Sequence, residues 1–242
     1  MSRIFKSIPG VAVITSTIVT LCLLPAIPRA QIQAGNQTQA QAPDQNSGTP
    51  ESLARALQER YQSIRDFSAS FVHTYRGGVL RTQTTERGTV TVKKPGQMRW
   101  IYTAPERKEF VSDGVRMYAY IPEDRQVMIT TLPQDDQATT PAAFLAGHGD
   151  IVRDFSAAFD YTSPDLTALR LTPYRSEPEF EYLIVAVDPV SLQILALTTR
   201  DRQGGDSTIS FTELKENQEV ADKEFVFSVP RGVDIITDGI AN

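Results

Sequence analysis

Alternation between apolar and polar positions marks the middle of the chain as a set of β-strands. The clearest runs are Gln97–Thr103 and Val115–Ile121. Successive side chains of a strand point to opposite faces of its sheet, so each run has one mostly apolar face. The residues on these faces are Met98, Trp100 and Tyr102 in the first run, and Val115, Met117, Ala119 and Ile121 in the second. Such a face must be covered by another layer.

The same alternation, bounded by Pro and Gly turns, predicts about eleven strands. An early hairpin runs from Asp66 to Thr85 around the turn at Gly77-Gly78. The other predicted strands are Thr89–Lys93, Gln97–Thr103, Val115–Ile121, Gln126–Leu132, Leu166–Thr172, Tyr182–Asp188, Gln193–Arg200, Ser207–Leu214 and Phe225–Val229. Because no helix–strand alternation appears, we expect a mainly β (α+β) fold with an antiparallel sheet.

Three helical segments interrupt or precede the strands. The first begins at Pro50, with Thr49 as its N-cap. Its apolar stripe is Leu53, Leu57, Tyr61 and Ile64. Two short helices follow between the two groups of strands, Pro141–Ala146 and one capped by Asp150. The second of these is expected to place Ile151, Phe155 and Ala158 on one side. We expect both to lie over the sheet as a lid.

Changes in composition divide the chain into three parts. Residues 1–34 have a basic start followed by an apolar run and small residues, which predicts a secretory signal peptide cleaved near residues 30–34. An uncleaved membrane anchor is the alternative, although the run is short for a full span. Residues 35–49 are polar and predict a disordered spacer. Residues 50–242 are then expected to form one domain.

The charge and the cysteine content of the chain indicate its cellular compartment and limit the classes of partner it can bind. Cys22 is the only cysteine and lies in the predicted signal, so the mature chain has no disulfide. Loss of Arg3, Lys6 and Arg29 lowers Lys+Arg from 24 to 21 against 29 Asp+Glu, giving 21 − 29 = −8. An exported, acidic protein without disulfides suits the periplasm, and we expect no binding to nucleic acid.

The chain offers little enzymatic chemistry. Its two histidines, His73 and His148, lack the spacing of a metal site, and no glycine-rich phosphate loop is present, so we expect no metal and no cofactor. His148, Asp150 and Ser156 leave a hydrolase as an alternative, but no GxSxG motif accompanies them. The excess of apolar residues on sheet and lid instead favours either a closed core or a partly filled apolar cavity.

Five segments of the chain, in their order and spacing, resemble the LolA family of periplasmic lipoprotein carriers. These segments are Val92–Tyr102, Phe110–Gly114, Tyr118–Pro122, Thr140–Leu145 and Phe225–Val233. The resemblance implies an unclosed antiparallel β-barrel whose concave apolar face is covered by helices. It also implies a monomeric, non-enzymatic chaperone that takes triacylated lipoproteins from the inner-membrane LolCDE transporter to an outer-membrane LolB-type receptor.

The resemblance further implies which residues hold the lipid. The expected cavity and lid residues are Phe71, Met98, Trp100, Tyr102, Met117, Phe144 and Leu145. The family commonly has Arg as a lid latch where this chain has Lys94, and Lys cannot form the planar fork of hydrogen bonds that Arg forms. Arg99 is a second candidate for the latch. The alternatives are a sensor that binds lipid or lipoprotein without transfer, and a structural β domain with a filled core.

Overall fold

Twelve strands form a single sheet in the computed structural model, which describes residues 48–78, 82–132 and 141–237. The strands are β1 (Asp66–Arg76), β2 (Gln83–Lys93), β3 (Gln97–Ala104), β4 (Lys108–Asp113), β5 (Arg116–Ile121), β6 (Gln126–Thr131), β7 (Phe155–Thr162), β8 (Thr167–Pro173), β9 (Tyr182–Val187), β10 (Ile194–Arg200), β11 (Asp206–Glu216) and β12 (Asp234–Thr237). The helices are α1 (Pro50–Gln62), α2 (Pro141–Leu145) and α3 (Ile151–Asp154), with a 3-10 turn at Asp222–Phe225.

The strand order is β12-β6-β5-β4-β3-β2-β1-β11-β10-β9-β8-β7. All neighbours pair antiparallel except β12 and β6, which are parallel. Because β12 and β7 stand at opposite ends, the sheet is unclosed. This confirms the predicted fold class, with one strand more than the sequence indicates.

The pairing of β1 with β11 joins two meanders, β2–β6 and β7–β11, into one sheet. The concave face of this sheet carries one continuous apolar cluster to which strands of both meanders contribute. Helix α1 adds Ala54, Leu57 and Tyr61 to the cluster, and Ile64 follows it. The predicted stripe of α1 is therefore buried, with Leu53 at its partly exposed edge.

Thr49 is the N-cap of α1, as the sequence predicts, and it forms a capping box with Ser52. Thr49 Oγ1 accepts a hydrogen bond of 3.2 Å from the backbone N–H of Ser52, and Thr49 N–H donates to Ser52 Oγ at 3.1 Å. Two of the otherwise unpaired donors of the first turn are satisfied in this way.

Gly88 lies within β2, although the sequence analysis placed a strand boundary there. The strand continues because a glycine permits a close approach of its neighbours. A Cβ at Gly88 would lie 2.0 Å from the carbonyl oxygen of Ile101 on β3 and 2.8 Å from Cζ of Phe71 on β1. The glycine thus leaves room for the Phe71 ring and for the close approach of β3.

Two segments differ from their predicted structure near the lid and in the first meander. Helix α3 ends at Asp154, so Phe155 and Ala158 belong to β7 and not to a helix. Strand β4 was not predicted, because its alternation is weak. Phe110 packs against the concave cluster while Val111 is fully buried on the opposite face, so apolar residues occur on both sides.

The prediction of a strand at Phe225–Val229 is wrong. The segment instead passes over the outer face of β3 and β4, beginning with the 3-10 turn. Phe225 is buried there, and the ring of Phe227 lies 5.5 Å from that of Tyr118 on β5. The chain then reaches the sheet edge as β12, which pairs with β6.

Two sequence predictions fall outside the described residues. They are the signal at 1–34 and nearly all of the spacer at 35–49. Among the helices within the described ranges, the longest has 13 residues, and none combines the length and apolarity that crossing a membrane requires.

The outer-face segment gives a stability prediction. Phe225→Ala removes a ring that is 1% exposed and should lower the free energy of unfolding by about 3–5 kcal/mol, as buried Phe truncations do. Val226→Ala is the matched control, because Val226 is 61% exposed and its truncation should change stability by about 0.5 kcal/mol or less. Urea unfolding measures both. Equal losses in the two variants would show that the segment does not anchor through Phe225.

Candidate functional site

The residues expected to line a cavity come together on the concave face. Phe71, Met98 and Trp100 are buried in the apolar cluster, and Tyr102 and Met117 are partly buried against it. The ring of Phe71 lies 5.1 Å from that of Trp100 and 4.9 Å from that of Tyr102, both edge to face. The strands β1, β3 and β5 therefore present a continuous aromatic and aliphatic surface.

Helix α2 lies over this surface as the predicted lid. Phe144 and Leu145 are buried in the same cluster as the sheet residues. The ring of Phe144 stacks on that of Tyr61 from α1, with centroids 5.0 Å apart and an angle of 16° between the planes. The lid is thus packed on α1 as well as on the sheet.

Tyr61 is the main polar contact of the lid, a role that the sequence analysis did not assign. Its hydroxyl donates to the carbonyl oxygen of Leu145 at 2.5 Å. Burial, together with the negative charge of Glu216, raises the pKa of Tyr61 well above its usual value. The sequence signal was an aromatic residue with a polar tip in an otherwise aliphatic stripe, which is typical of a side chain that is buried with a hydrogen-bond partner.

Further backbone contacts hold the lid at its two ends. The N–H of Gly96, in the β2–β3 turn, donates to the carbonyl of Ala146 at 2.9 Å. The N–H of Ile151 donates to Oε1 of Gln58 on α1 at 2.9 Å. Asp150 caps α3 as predicted by accepting from the N–H groups of Val152 and Arg153. These hydrogen bonds join the described parts of the lid to α1 and to the β2–β3 turn, and each is of ordinary strength.

Lys94 lies where the lid meets α1. Its ammonium group donates to the carbonyl of Tyr61 and is 3.2 Å from the centroid of the Tyr61 ring. Its stem packs beside Gly147, where an added Cβ would be 3.0 Å from Cδ of Lys94. The ammonium group thus sits at the C-terminal end of α1, where the helix dipole favours a cation.

Partial burial destabilises the charged form of Lys94. It lowers the pKa of Lys94 to about 8; nearby Glu216 opposes this effect, and Arg60 adds to it. We propose a latch role for Lys94 on these contacts. Arg99 lies away from the lid, on the outer face of β3, where it donates to Glu109 and to the carbonyl of Glu224. We therefore propose Lys94, and not Arg99, as the latch residue.

A small gap lies under the lid beside Tyr61, between α1, α2, β1, β10 and β11. Its volume is about 10 Å³, which is close to that needed for one water molecule. Its lining residues are Tyr61, Ile64, Phe67, Leu145, Leu192, Ile194, Phe211, Leu214 and Glu216. The described side chains of the lid, α1 and the sheet are closely packed at this point.

The apolar surface ends in a polar cluster further along β1 from α1. His73 Nδ1 lies 3.4 Å from a carboxylate oxygen of Glu86, and Lys108 Nζ lies 2.5 Å from the other oxygen of that carboxylate. Burial, with the charge of Glu86, raises the pKa of Tyr102 to about 12. The concave face therefore has an apolar part under the lid and a charged part beyond Tyr102.

Two of the three side chains considered for a hydrolase bond to backbone groups. Asp150 serves as a helix cap, and Ser156 donates its hydroxyl to the carbonyl of Thr172 at 3.2 Å. His148 lies near Gly96, where an added Cβ would be 3.6 Å from Nε2 of the imidazole.

Comparison with known proteins identifies the family to which these features belong. The sequence model of a family described as outer membrane lipoprotein carrier protein LolA matches residues 62–228. A protein of Chromohalobacter salexigens named outer-membrane lipoprotein carrier protein is 31% identical over 195 residues, covering 80% of this chain and 89% of its own. A protein of the same name from Hahella chejuensis is 31% identical over 188 residues, covering 76% and 87%.

Solved structures with a similar arrangement of strands include a LolA superfamily protein from Nitrosomonas europaea. It is 13% identical, with a TM-score of 0.41, and the match covers 72% of this chain and 97% of the other. An uncharacterized conserved protein from Thermus thermophilus is 13% identical, with a TM-score of 0.48 over 76% and 98% of the two chains.

The environment of Lys94 predicts a pH-dependent stability. Because the pKa of Lys94 is about 8 in the folded state and about 10.4 in an unfolded chain, the unfolded state binds more protons between these values. The free energy of unfolding should therefore rise with pH in this window, relative to Lys94→Met, and the difference should be constant below about pH 7.

Tyr61 and Tyr102 have the opposite effect on stability, because their raised pKa values make the unfolded state lose these protons first above about pH 10. Comparing wild type with Lys94→Met cancels this effect, since both proteins contain the two tyrosines. Urea unfolding at several pH values measures the difference in the free energy of unfolding, with Lys93→Met as the control for loss of one lysine. A wild-type to Lys94→Met difference that stays constant from about pH 7 to 10 would contradict the buried environment of Lys94.

Proposed function

Since the chain belongs to the LolA family of outer-membrane lipoprotein carrier proteins, we propose that it binds the acyl chains of lipoproteins on the concave apolar face of its sheet. One observation supports this most directly. The matched residues, 62–228, contain both lid helices and every cavity residue named from the sequence. The family resemblance therefore coincides with the apolar face and its cover.

The proposed route is that of the family. The carrier takes triacylated lipoproteins released by an inner-membrane LolCDE-type transporter and delivers them to an outer-membrane LolB-type receptor. This places it in the periplasm, in agreement with the export signal predicted for residues 1–34 and the absence of cysteine from the rest of the chain. It works as a monomer and transfers cargo without covalent chemistry.

Cargo and lid compete for one surface. Phe144 and Leu145 pack in the apolar cluster of this face, and the gap beside Tyr61 has room for about one water. An acyl chain that packs where these two side chains lie therefore requires the lid to move away. The energy released by burying the chain must offset the lost contacts of the lid, which lowers the net affinity for cargo.

This competition suits a carrier that must release its load. Three acyl chains have on the order of 45 methylene groups, and their full burial would release more than about 30 kcal/mol. Non-covalent complexes do not exceed about 18–21 kcal/mol. Partial burial of the chains, reduced further by the cost of opening the lid, keeps binding strong enough for transport and weak enough for handover.

A transfer assay tests the proposal as a whole. The purified mature protein is mixed with vesicles that contain a triacylated lipoprotein, and the soluble fraction is analysed for a complex by mass spectrometry. The complex is then mixed with vesicles that carry a LolB-type receptor, where the lipoprotein should appear. Binding without transfer would indicate a sensor, and no soluble complex would exclude the carrier role.

A charge on the concave face should block loading. Met117→Glu places a carboxylate where the acyl chain would pack, and desolvating that charge opposes binding. Arg116→Glu is the matched control, because Arg116 is the exposed neighbour on β5. We expect soluble complex to fall at least about tenfold for Met117→Glu and to stay near wild type for Arg116→Glu, since about 1.4 kcal/mol is a factor of ten in affinity.

Circular dichroism of both variants checks that the sheet is intact. Equal loading by Met117→Glu and wild type would remove β5 from the lipid-binding surface.

Weakening the lid should strengthen cargo binding. Tyr61→Phe keeps the stacking on Phe144 but removes the hydrogen bond to the Leu145 carbonyl. The closed state should lose about 0.5–1.5 kcal/mol, which raises the open fraction and the apparent affinity about twofold to tenfold. Titration with a fluorescent fatty acid measures the affinity.

Tyr75→Phe is the control, because the hydroxyl of Tyr75 bonds to Asp201, away from the lid. Unchanged or weaker binding by Tyr61→Phe would mean that opening of the lid does not limit cargo binding.

A further inference from the structure

One donor on the concave face lacks an acceptor. The indole Nε1 of Trp100 is buried and has no hydrogen-bond partner in the described part of the chain. Trp100 is only 5% exposed, and the rings of Phe71 and Phe211 lie 5.1 Å and 6.5 Å from it. These rings provide carbon surface and no oxygen.

Such a donor is unusual, because an unsatisfied buried N–H loses its hydrogen bonds to water without replacement. Nδ1 of His73 is also buried without a hydrogen bond, but it lies 3.4 Å from a carboxylate oxygen of Glu86. Its surroundings thus already contain an acceptor. Trp100 differs because its ring contacts are aromatic hydrocarbon.

We infer that the N–H of Trp100 donates to the ester carbonyl of a bound acyl chain, an inference that rests on the proposed carrier function. An apolar surface with one free donor fits a ligand that has a long hydrocarbon part and an acceptor but no donor. An acyl ester has this chemistry. A fatty-acid carboxylate would bring a charge that is costly to bury, and an N-acyl amide would bring a second unpaired N–H.

The inference gives the site a chemical preference. Replacing each ester by an ether keeps the chain length and removes the carbonyl. One net hydrogen bond corresponds to roughly a fivefold change in affinity. Dipalmitoylglycerol should therefore bind about fivefold more tightly than its dihexadecyl ether counterpart.

The chain contains one tryptophan, so the test can be read at a single atom. In a ¹H–¹⁵N spectrum of the protein, the one indole cross-peak should move downfield when dipalmitoylglycerol binds, as it does when a hydrogen bond forms. The ether lipid should bind without this downfield shift. Affinities for both lipids come from displacement of a fluorescent fatty acid.

A protein with benzothienylalanine at position 100 is the matched variant, because sulfur replaces the N–H in a ring of similar shape. The ester preference should fall from about fivefold to none, with ether binding unchanged. Equal affinity for the two lipids in wild type, with no indole shift, would overturn the inference while leaving the carrier function intact. Failure of both lipids to bind would instead contradict the carrier function. The wild-type comparison does not depend on folding of the variant.

Discussion

Burial of one apolar face by its own lid is the interaction on which the rest of this molecule depends. The curved sheet cannot leave Phe71, Trp100 and their neighbours in water, so the empty protein covers them with α1 and α2. In a carrier the cargo must then replace contacts that the protein already makes. The apolar cluster seen here and the proposed lipid binding are compatible as two states of one surface.

The lid is held in place by polar contacts as well as by this apolar burial. Tyr61 bonds to Leu145 of α2 and Gln58 to Ile151 of α3, through hydrogen bonds that are modest in strength but directional. They fix where the lid closes, whereas the apolar contacts supply most of the stabilisation. Lys94 lies at the C-terminal end of α1, where it donates to the carbonyl of Tyr61.

Sequence patterns predicted most of this architecture, because β1, β3, β5 and β8–β11 each face the cluster on one side only. Prediction missed β4, which is covered on both sides, and also β7 and β12, whose residues are mostly exposed. Val111 on β4 is buried by the C-terminal segment, and the alternation of Phe225 and Phe227 imitates a strand while these rings pack across one. The residues expected to line a cavity lie together in the cluster, because those on the sheet share one face. Tyr61 was not assigned to the lid, because its partner Leu145 is distant in sequence.

The seam between β1 and β11 has a consequence for how the protein is made. A ribosome delivers the N-terminal meander first, yet β1 stays without its second partner until β11, more than a hundred residues later, has emerged. Until then one edge of the nascent sheet is bare, with Phe71 and its neighbours unshielded. Such non-local pairing is slow to form. A chain of this topology therefore exposes an apolar sheet edge for longer during folding than a chain of local hairpins would.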